Sequence, residues 1–267
     1  MKERFRIMAR VPKGQGDIPE IVRGKTAPNR LYEVNDADLQ WYKENVPCRV
    51  ACPADTRIPE YIDAAARGDY DKCYEINLMD NVLPHMLGRV CAHPCETVCR
   101  HGFEGMGEPV SICWLKRSGA DYKTAAPKLK PAPATGKRVA VVGSGPAGLA
   151  LAFDLTMWGH KVTIYEGMDK AGGMLRYGIP RFRLPENVMD EEIDRILDLG
   201  VTLKTGRWIG KEVTLDQLAN DYDAAIMAAG SMIPAGLKVP GDSANGVMNG
   251  LDFMADVNAD RLKSVKG

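Results

Sequence analysis

Five of the seven cysteines stand in two tight groups: Cys48 and Cys52, the latter followed by Pro53, and then Cys91, Cys95 and Cys99 in the run GRVCAHPCETVC. Thiols so closely spaced point to a shared ligand, and a dinucleotide-binding glycine turn follows the second group. The pairing reads as an iron–sulfur cluster feeding a flavin. Zinc is the chief rival, because it favours closely paired thiols in closed tetrahedral sites. The neighbouring flavin, a one-electron partner for iron, favours the cluster. Cys52, Cys91 and Cys95 are the expected ligands, with Cys99 or Cys48 as the fourth. Cys73 falls in mid-helix and reads as a core residue, while His85, His93 and His101 read as packing or surface residues.

The second chemical centre is RVAVVGSGPAGLALAFDLTMWGHKVTIYEG, in which Gly143, Gly145 and Gly148 form G-x-G-x-x-G between a strand and a helix. The first glycine permits the tight turn, the second lets a pyrophosphate approach the backbone, and the third lets helix and strand pack closely. The free N–H groups and dipole of the following helix hold phosphate. Glu166 closes the second strand at the distance expected for an acid that hydrogen-bonds a ribose. This motif does not separate FAD from NAD. AGGMLRYGIPRFRLP, with Arg176, Arg181 and Arg183, reads either as a loop wrapping a polar ligand or as an ordinary connection, and DAAIMAAGS marks a late strand that ends near Gly230.

The elements that must position these residues fall into two grammars. Residues 1 to about 34 read as an extended arm. Short helices are expected over DADLQWYKENV, IPEYIDAAARG, DYDKCYEINLMD and from about EPVSICWLKRSGAD, with the thiols on the loops between them. KTAAPKLKPAPATGK, residues 123–137, reads as a linker. After it come a strand at Arg138–Val142, a helix at Pro146–Trp158, a strand at Lys161–Tyr165, a helix at Asn187–Leu199 and strands at Val201–Lys204 and Asp223–Ala229. Alternation of this kind implies a parallel sheet covered by helices. The expected fold is therefore α/β: an all-helical cluster domain over 1–122, the linker, and a Rossmann-like FAD domain over 138–267 that is incomplete as given.

Thirty-five basic residues balance thirty-five acidic ones, so no general attraction to nucleic acid or to an anionic membrane is expected. The charged N-terminus is no signal peptide, and no apolar run reaches the roughly 20 residues that span a bilayer. A cytoplasmic location is expected, in which such thiols bind metal or do redox chemistry rather than form disulfides.

The ordered run C-x-x-x-C-P, GRVC with PCE and a further Cys, VAVVGSGPAGL, GGMLRYGIPRFRLP and AAGS resembles the small subunit of bacterial glutamate synthase and the equivalent module of dihydropyrimidine dehydrogenase, over about residues 28–258. The resemblance implies 4Fe-4S clusters in the helical domain and FAD in the α/β domain. It implies that the turn Gly143, Gly145, Pro146, Ala147 and Gly148 binds the FAD pyrophosphate and Glu166 the ribose. By the same resemblance Gly173 and Met174 line the cofactor, Arg183 contacts it, and Ile209 lies near the adenine end. Two departures stand out. The two further upstream cysteines typical of the family are absent, which leaves one expected cluster, and the second group is shortened. Some relatives use a glutamine ligand where this sequence has Lys116, which cannot replace it, whereas Cys113 one helical turn earlier can. The second departure is that the family's second glycine fingerprint, for NAD(P)H, does not occur in the 37 residues after Gly230.

Three functions fit. The first is an electron-transfer subunit that passes electrons between NAD(P)H, FAD and a cluster, beside a larger catalytic or iron–sulfur subunit. The second is a stand-alone reductase of the thioredoxin-reductase type, disfavoured because the flavin domain lacks both a second fingerprint and a redox C-x-x-C. The third is a non-catalytic assembly module. No nucleophile, base and orienter set marks a hydrolase, so no catalytic residue is assigned.

Overall fold

The computed structural model describes residues 46–103, 107–262 and 264, which divide into a helical unit ending at Lys130 and an α/β unit beginning at Pro131. The expected extended arm and the helix over DADLQWYKENV lie outside the described residues, apart from Val46.

The helical unit is built from α1 (Pro47–Ala51), α2 (Ile58–Ala66), α3 (Tyr70–Asp80), α4 (Pro84–Val90), α5 (Pro94–Thr97), α6 (Arg100–Phe103) and α7 (Ile112–Tyr122). Prolines open α1, α2, α4 and α5, where a missing N–H costs nothing and the fixed φ favours the helix. Asp69 caps α3 by accepting from Lys72 N at 3.0 Å. α2 turns Ile58, Tyr61, Ala64 and Ala65 inward onto Cys73, Ile76, Cys95 and Ile112, with Cys48 and Cys52 packed against that core. Three of the five thiols lie between helices as expected, Cys52 and Cys91 at the C-terminal caps of α1 and α4 and Cys99 between α5 and α6, whereas Cys48 lies inside α1 and Cys95 inside α5. Pro47 and Pro94 start one-turn helices that a search for longer periodic segments passes over.

Two glycines let α7 lie against its neighbours. A Cβ on Gly119 of α7 would stand 2.5 Å from Cys73 Sγ of α3, and a Cβ on Gly88 of α4 would stand 2.9 Å from Arg117 Cα of α7. Asp121 fastens the far end of the same pair. Its carboxylate accepts from Arg89 Nη2 at 2.6 Å and Arg117 Nε at 2.9 Å, and His85 Nε2 lies 2.9 Å away.

The α/β unit holds β1 (Arg138–Val142), α8 (Pro146–Met157), β2 (Lys161–Tyr165), α9 (Met174–Tyr177), α10 (Glu186–Leu197), β3 (Thr202–Lys204), α11 (Leu215–Asp221), β4 (Ala224–Met227) and α12 (Gly250–Asn258). All strand pairs are parallel, in the order β3-β2-β1-β4, with Val139 opposite both Val162 and Ala224. β1 and β2 are buried beyond their first residue, as strands covered on both faces must be. The order reverses at β1, and in open α/β sheets ligands bind at that point, beyond the carboxyl ends of the strands.

The stretch 123–137 is held along its length. Thr124 N donates to Asp71 Oδ1 at 2.6 Å, and Leu129 packs on Tyr74, Leu78 and Ala120. Within the α/β unit, Ala132 N donates to Met157 O at 2.9 Å and Thr135 N to Gly159 O at 3.0 Å. Backbone that lacks internal partners takes them from the unit it crosses.

Burial alone would raise the Asp121 pKa, but the hydrogen bonds from Arg89, His85 and Arg117 win and hold it at about 2. A depressed folded-state value means that stabilisation is complete above the unfolded value of about 3.9 and is lost as pH falls through the folded value. Asp121→Asn is therefore expected to destabilise the protein by about 1 kcal/mol at pH 7, a figure limited by solvent screening. The gap to the unsubstituted protein should close between about pH 4 and pH 2. Urea denaturation at pH 7, 4 and 3 checks this, and a gap independent of pH would show that the clasp carries no charge-dependent stability.

Candidate functional site

Beyond the carboxyl ends of β1, β2 and β4 lies a cleft of about 370 Å³. Gly143, Gly145, Pro146 and Ala147 line it, with Glu166, Gly173, Met174, Ile209 and Gly230. The N-terminus of α8 faces this cleft and presents N–H groups that the helix itself leaves unpaired. The three glycines of the turn do different work. Gly143 has φ +100°, and a Cβ there would meet Ala228 O at 2.4 Å; a Cβ on Gly148 would stand 1.9 Å from Gly143 O. Gly145 has ordinary extended backbone, φ −67° and ψ −179°, and a Cβ on it would meet nothing within 4 Å. Protein packing does not require that glycine, so the open space beside it is left for a ligand.

Glu166 is buried at the end of β2. Its Oε2 accepts from Ser144 N at 2.9 Å and from the Ser144 hydroxyl, and its Oε1 accepts from Met168 N at 2.8 Å. The Ser144 hydroxyl oxygen accepts in turn from Gly172 N at 3.2 Å. The acid thus fixes the glycine turn, while Oε1 keeps a lone pair for a ligand hydroxyl.

Arg183 is exposed, and its side chain does not line the cleft. The other two arginines of that loop are internal fasteners. Arg176 is 6% exposed and binds Glu186 and Asp190, and Arg181 reaches Asp260 and the Asn258 carbonyl. Only the head of the loop, Gly173 and Met174, takes part in the cleft.

In the helical unit the thiols are reduced and mostly half-buried or buried. Burial, with the Arg49 backbone N–H opposing it, pushes the Cys48 thiol up; Cys99 and Cys52 add to the rise. Burial, with Cys52 and Cys91 nearby, pushes Cys95 up to about 11. Cys91 is held down to about 5, chiefly because the Cys113 thiol hydrogen-bonds to its sulfur; the His93 N–H at 3.3 Å adds to this. Cys113 rises correspondingly. Among the described residues no three His, Cys, Asp or Glu side chains close on a single point as one ion requires. A four-iron cluster takes one thiolate at each of its four iron corners and needs a wider spread than a tetrahedral zinc ion, with its Zn–S bonds of about 2.3 Å.

Residues 34–127 match the family described as dihydropyrimidine dehydrogenase domain II, 4Fe-4S cluster, and residues 137–266 match pyridine nucleotide-disulphide oxidoreductase. Among curated proteins, the NADP(+)-dependent formate dehydrogenase subunit beta of Moorella thermoacetica is 39% identical over 83% of this chain and 35% of its own length. The glutamate synthase [NADPH] small chain of Mycobacterium tuberculosis is 36% identical over 79% of this chain and 43% of its own. The chain belongs to the glutamate synthase small-subunit-like FAD and iron–sulfur oxidoreductases. The NAD-dependent dihydropyrimidine dehydrogenase subunit PreT of Salmonella typhimurium is 34% identical over 90% of this chain and 58% of its own. The chain thus spans less than two thirds of each of these relatives, which are named as subunits or small chains. Among the described residues no helix is long and apolar enough to cross a membrane.

Sequence reasoning missed the far wall of the cleft, where Arg207 and Trp208 stand beside Ile209. The Trp208 ring lies where a Cβ on Gly167 would be, 2.6 Å from its nearest atom. A glycine directly after Glu166, answered by an exposed tryptophan beyond β3, was the available signal.

Gly148→Ala is expected to cost about 1–3 kcal/mol by overpacking, whereas Gly145→Ala in cofactor-free protein should stay within about 0.5 kcal/mol. Denaturant unfolding of the two variants checks the contrast. Equal losses would make Gly145 a packing residue.

Proposed function

We propose that this chain is the FAD- and 4Fe-4S-bearing electron-transfer part of an NAD(P)H-linked oxidoreductase, working in the cytoplasm beside a larger catalytic or iron–sulfur subunit. The observation that carries this reading is the division of labour within one chain: a dinucleotide cleft in the α/β unit, and every cysteine in the helical unit. A bound flavin would take two electrons together as one hydride and release them singly to an iron centre. The chain's own part is to hold the two cofactors. The α8 N-terminus and the turn at Gly145 grip the pyrophosphate, Glu166 Oε1 takes a ribose hydroxyl, Met174 and Ile209 supply apolar walls, and Trp208 offers an aromatic face. The cluster draws its ligands from the group Cys48, Cys52, Cys91, Cys95 and Cys99 and the thiols around it.

A reductase that exchanges electrons with a disulfide needs its own redox cysteine pair beside the flavin. Residues 131–267 contain no cysteine, so the first reading stands above that one. The names of the relatives, which link NADP(H) or NAD to formate dehydrogenase, glutamate synthase and dihydropyrimidine dehydrogenase subunits, support the nicotinamide linkage.

Isolated anaerobically, the protein should carry about four iron and four sulfide per chain, together with FAD. Gly145→Val should lose the flavin and keep the iron, and Cys73→Ala should keep both. Iron and sulfide analysis with visible spectra decides it; stoichiometric zinc without a chromophore overturns the cluster, and flavin retained by Gly145→Val overturns the assigned pyrophosphate site.

A further inference from the structure

Cys48 and Cys99 line one shallow cleft with Ile58, Ile62, Val110 and Ile112, and none of Cys52, Cys91 and Cys95 lines it. The thiols that bear on Cys95 are Cys52 and Cys91, although Cys52 bears on Cys48 as well. Cys113 lies toward Cys91. It sits in the first turn of α7, 7% exposed, and its sulfur reaches Gly88 O at 3.6 Å and Leu87 O at 3.7 Å, on the last turn of α4, the helix that Cys91 caps. Its N–H donates to Glu96 Oε1 at 2.9 Å, which ties it to α5, the helix that carries Cys95. The approach of α4 to α7 at Gly88 brings Cys91, at the end of α4, alongside it. Tyr61 stands beside Cys95, Cys113 and Cys52 together.

Lys116 supplies a second, independent observation. It is 8% exposed, lies one turn beyond Cys113, and has Cys91, Cys95 and Cys113 within its field. Among the described residues no carboxylate pairs with it. A buried ammonium without an anion is costly, and a four-iron cluster bound by four thiolates carries net negative charge. The cation is placed where such a cluster would compensate it.

We propose that Cys113 is the fourth thiolate of the cluster, completing Cys52, Cys91 and Cys95, with Lys116 as its buried counter-cation, and that Cys48 and Cys99 stand outside the ligand set. The proposal rests on the cluster reading above, and it replaces the expectation that Cys99 or Cys48 is the fourth ligand. Three of the four ligands then come from the ends and turns of α1, α4 and α5, and the fourth from α7, which packs on α4. Lys116 lowers the cost of adding an electron, because net charge and nearby cations set the potential of an iron–sulfur centre.

The test compares the full chain with two variants, all isolated anaerobically, by iron and sulfide content and by electron paramagnetic resonance after dithionite reduction. Cys48→Ala/Cys99→Ala should retain about four iron with an unchanged signal, and Cys113→Ala should fall to about three or fewer. Loss of iron from the double variant overturns the proposal, as does a full complement with an unchanged signal in Cys113→Ala. Lys116→Met should keep its iron and shift the midpoint potential negative; an unmoved potential removes the lysine from the scheme. If the unsubstituted chain itself holds no iron, the cluster reading fails, and that result is distinct from any result in the variants.

Discussion

Close backbone approach, possible only where a residue has no Cβ, is the constraint on which both units depend. In the helical unit Gly88 and Gly119 bring α7 against α4 and α3 at distances that no side chain would permit. Without that approach the first two turns of α7, with Cys113 and Lys116, would stand away from Cys91. In the α/β unit Gly148 brings α8 down onto the turn at Gly143, and this aims the α8 N-terminus into the cleft. Glycine inside a helix weakens it by roughly 0.5–1 kcal/mol relative to alanine. Here that cost is offset by contacts that only the short distance allows.

Buried charge is managed differently in the two units. Arg176 and Glu166, in the α/β unit, are each satisfied within the protein, by two carboxylates and by the Ser144 and Met168 donors respectively. Their work is to fix the loop and the turn before a ligand arrives, so that the cleft is shaped in advance. Lys116, in the helical unit, has no such partner among the described residues. A buried charge that is paired avoids the cost of standing alone, and in the proposal above the cluster would supply that partner to Lys116.

The order of elements in the α/β unit is legible in the sequence because it rests on local signals. Arg138–Val142 and Lys161–Tyr165 are apolar runs of strand length, and Pro146 opens a helix directly after the glycine turn. Gly143, Gly145 and Glu166 belong to the same local motif, and all three line one cleft. Ile209, which only the family resemblance points to, lines it with them. What is not legible depends on distance along the chain. The motif around Arg183 suggests a cofactor contact, yet Arg183 sits in a turn closed by bonds from its own N–H and that of Leu184 to Pro180 O, is exposed and does not line the cleft. Trp208 lies 42 residues beyond Glu166 and reaches the cleft only through the crossover to β3.

The cysteines show the same limit more sharply. Spacing along the chain groups Cys99 with Cys91 and Cys95, because three thiols at regular intervals suggest one ligand set. In the structure the one-turn helix that Pro94 starts separates them, with Cys95 turned into the core and Cys99 facing the cleft that it shares with Cys48. Cys113, fourteen residues further on, comes closer to Cys91 in chemistry than Cys99 does, because α4 and α7 lie side by side. A cluster is assembled from corners of a cube, and the fold, rather than the interval between cysteines, decides which thiols reach those corners. The regular interval records only that short helices begin at prolines. The helix α7, to which only the family resemblance drew attention through Lys116 and Cys113, carries both a buried thiol and a buried cation, and that pairing gives the helical unit its chemical character.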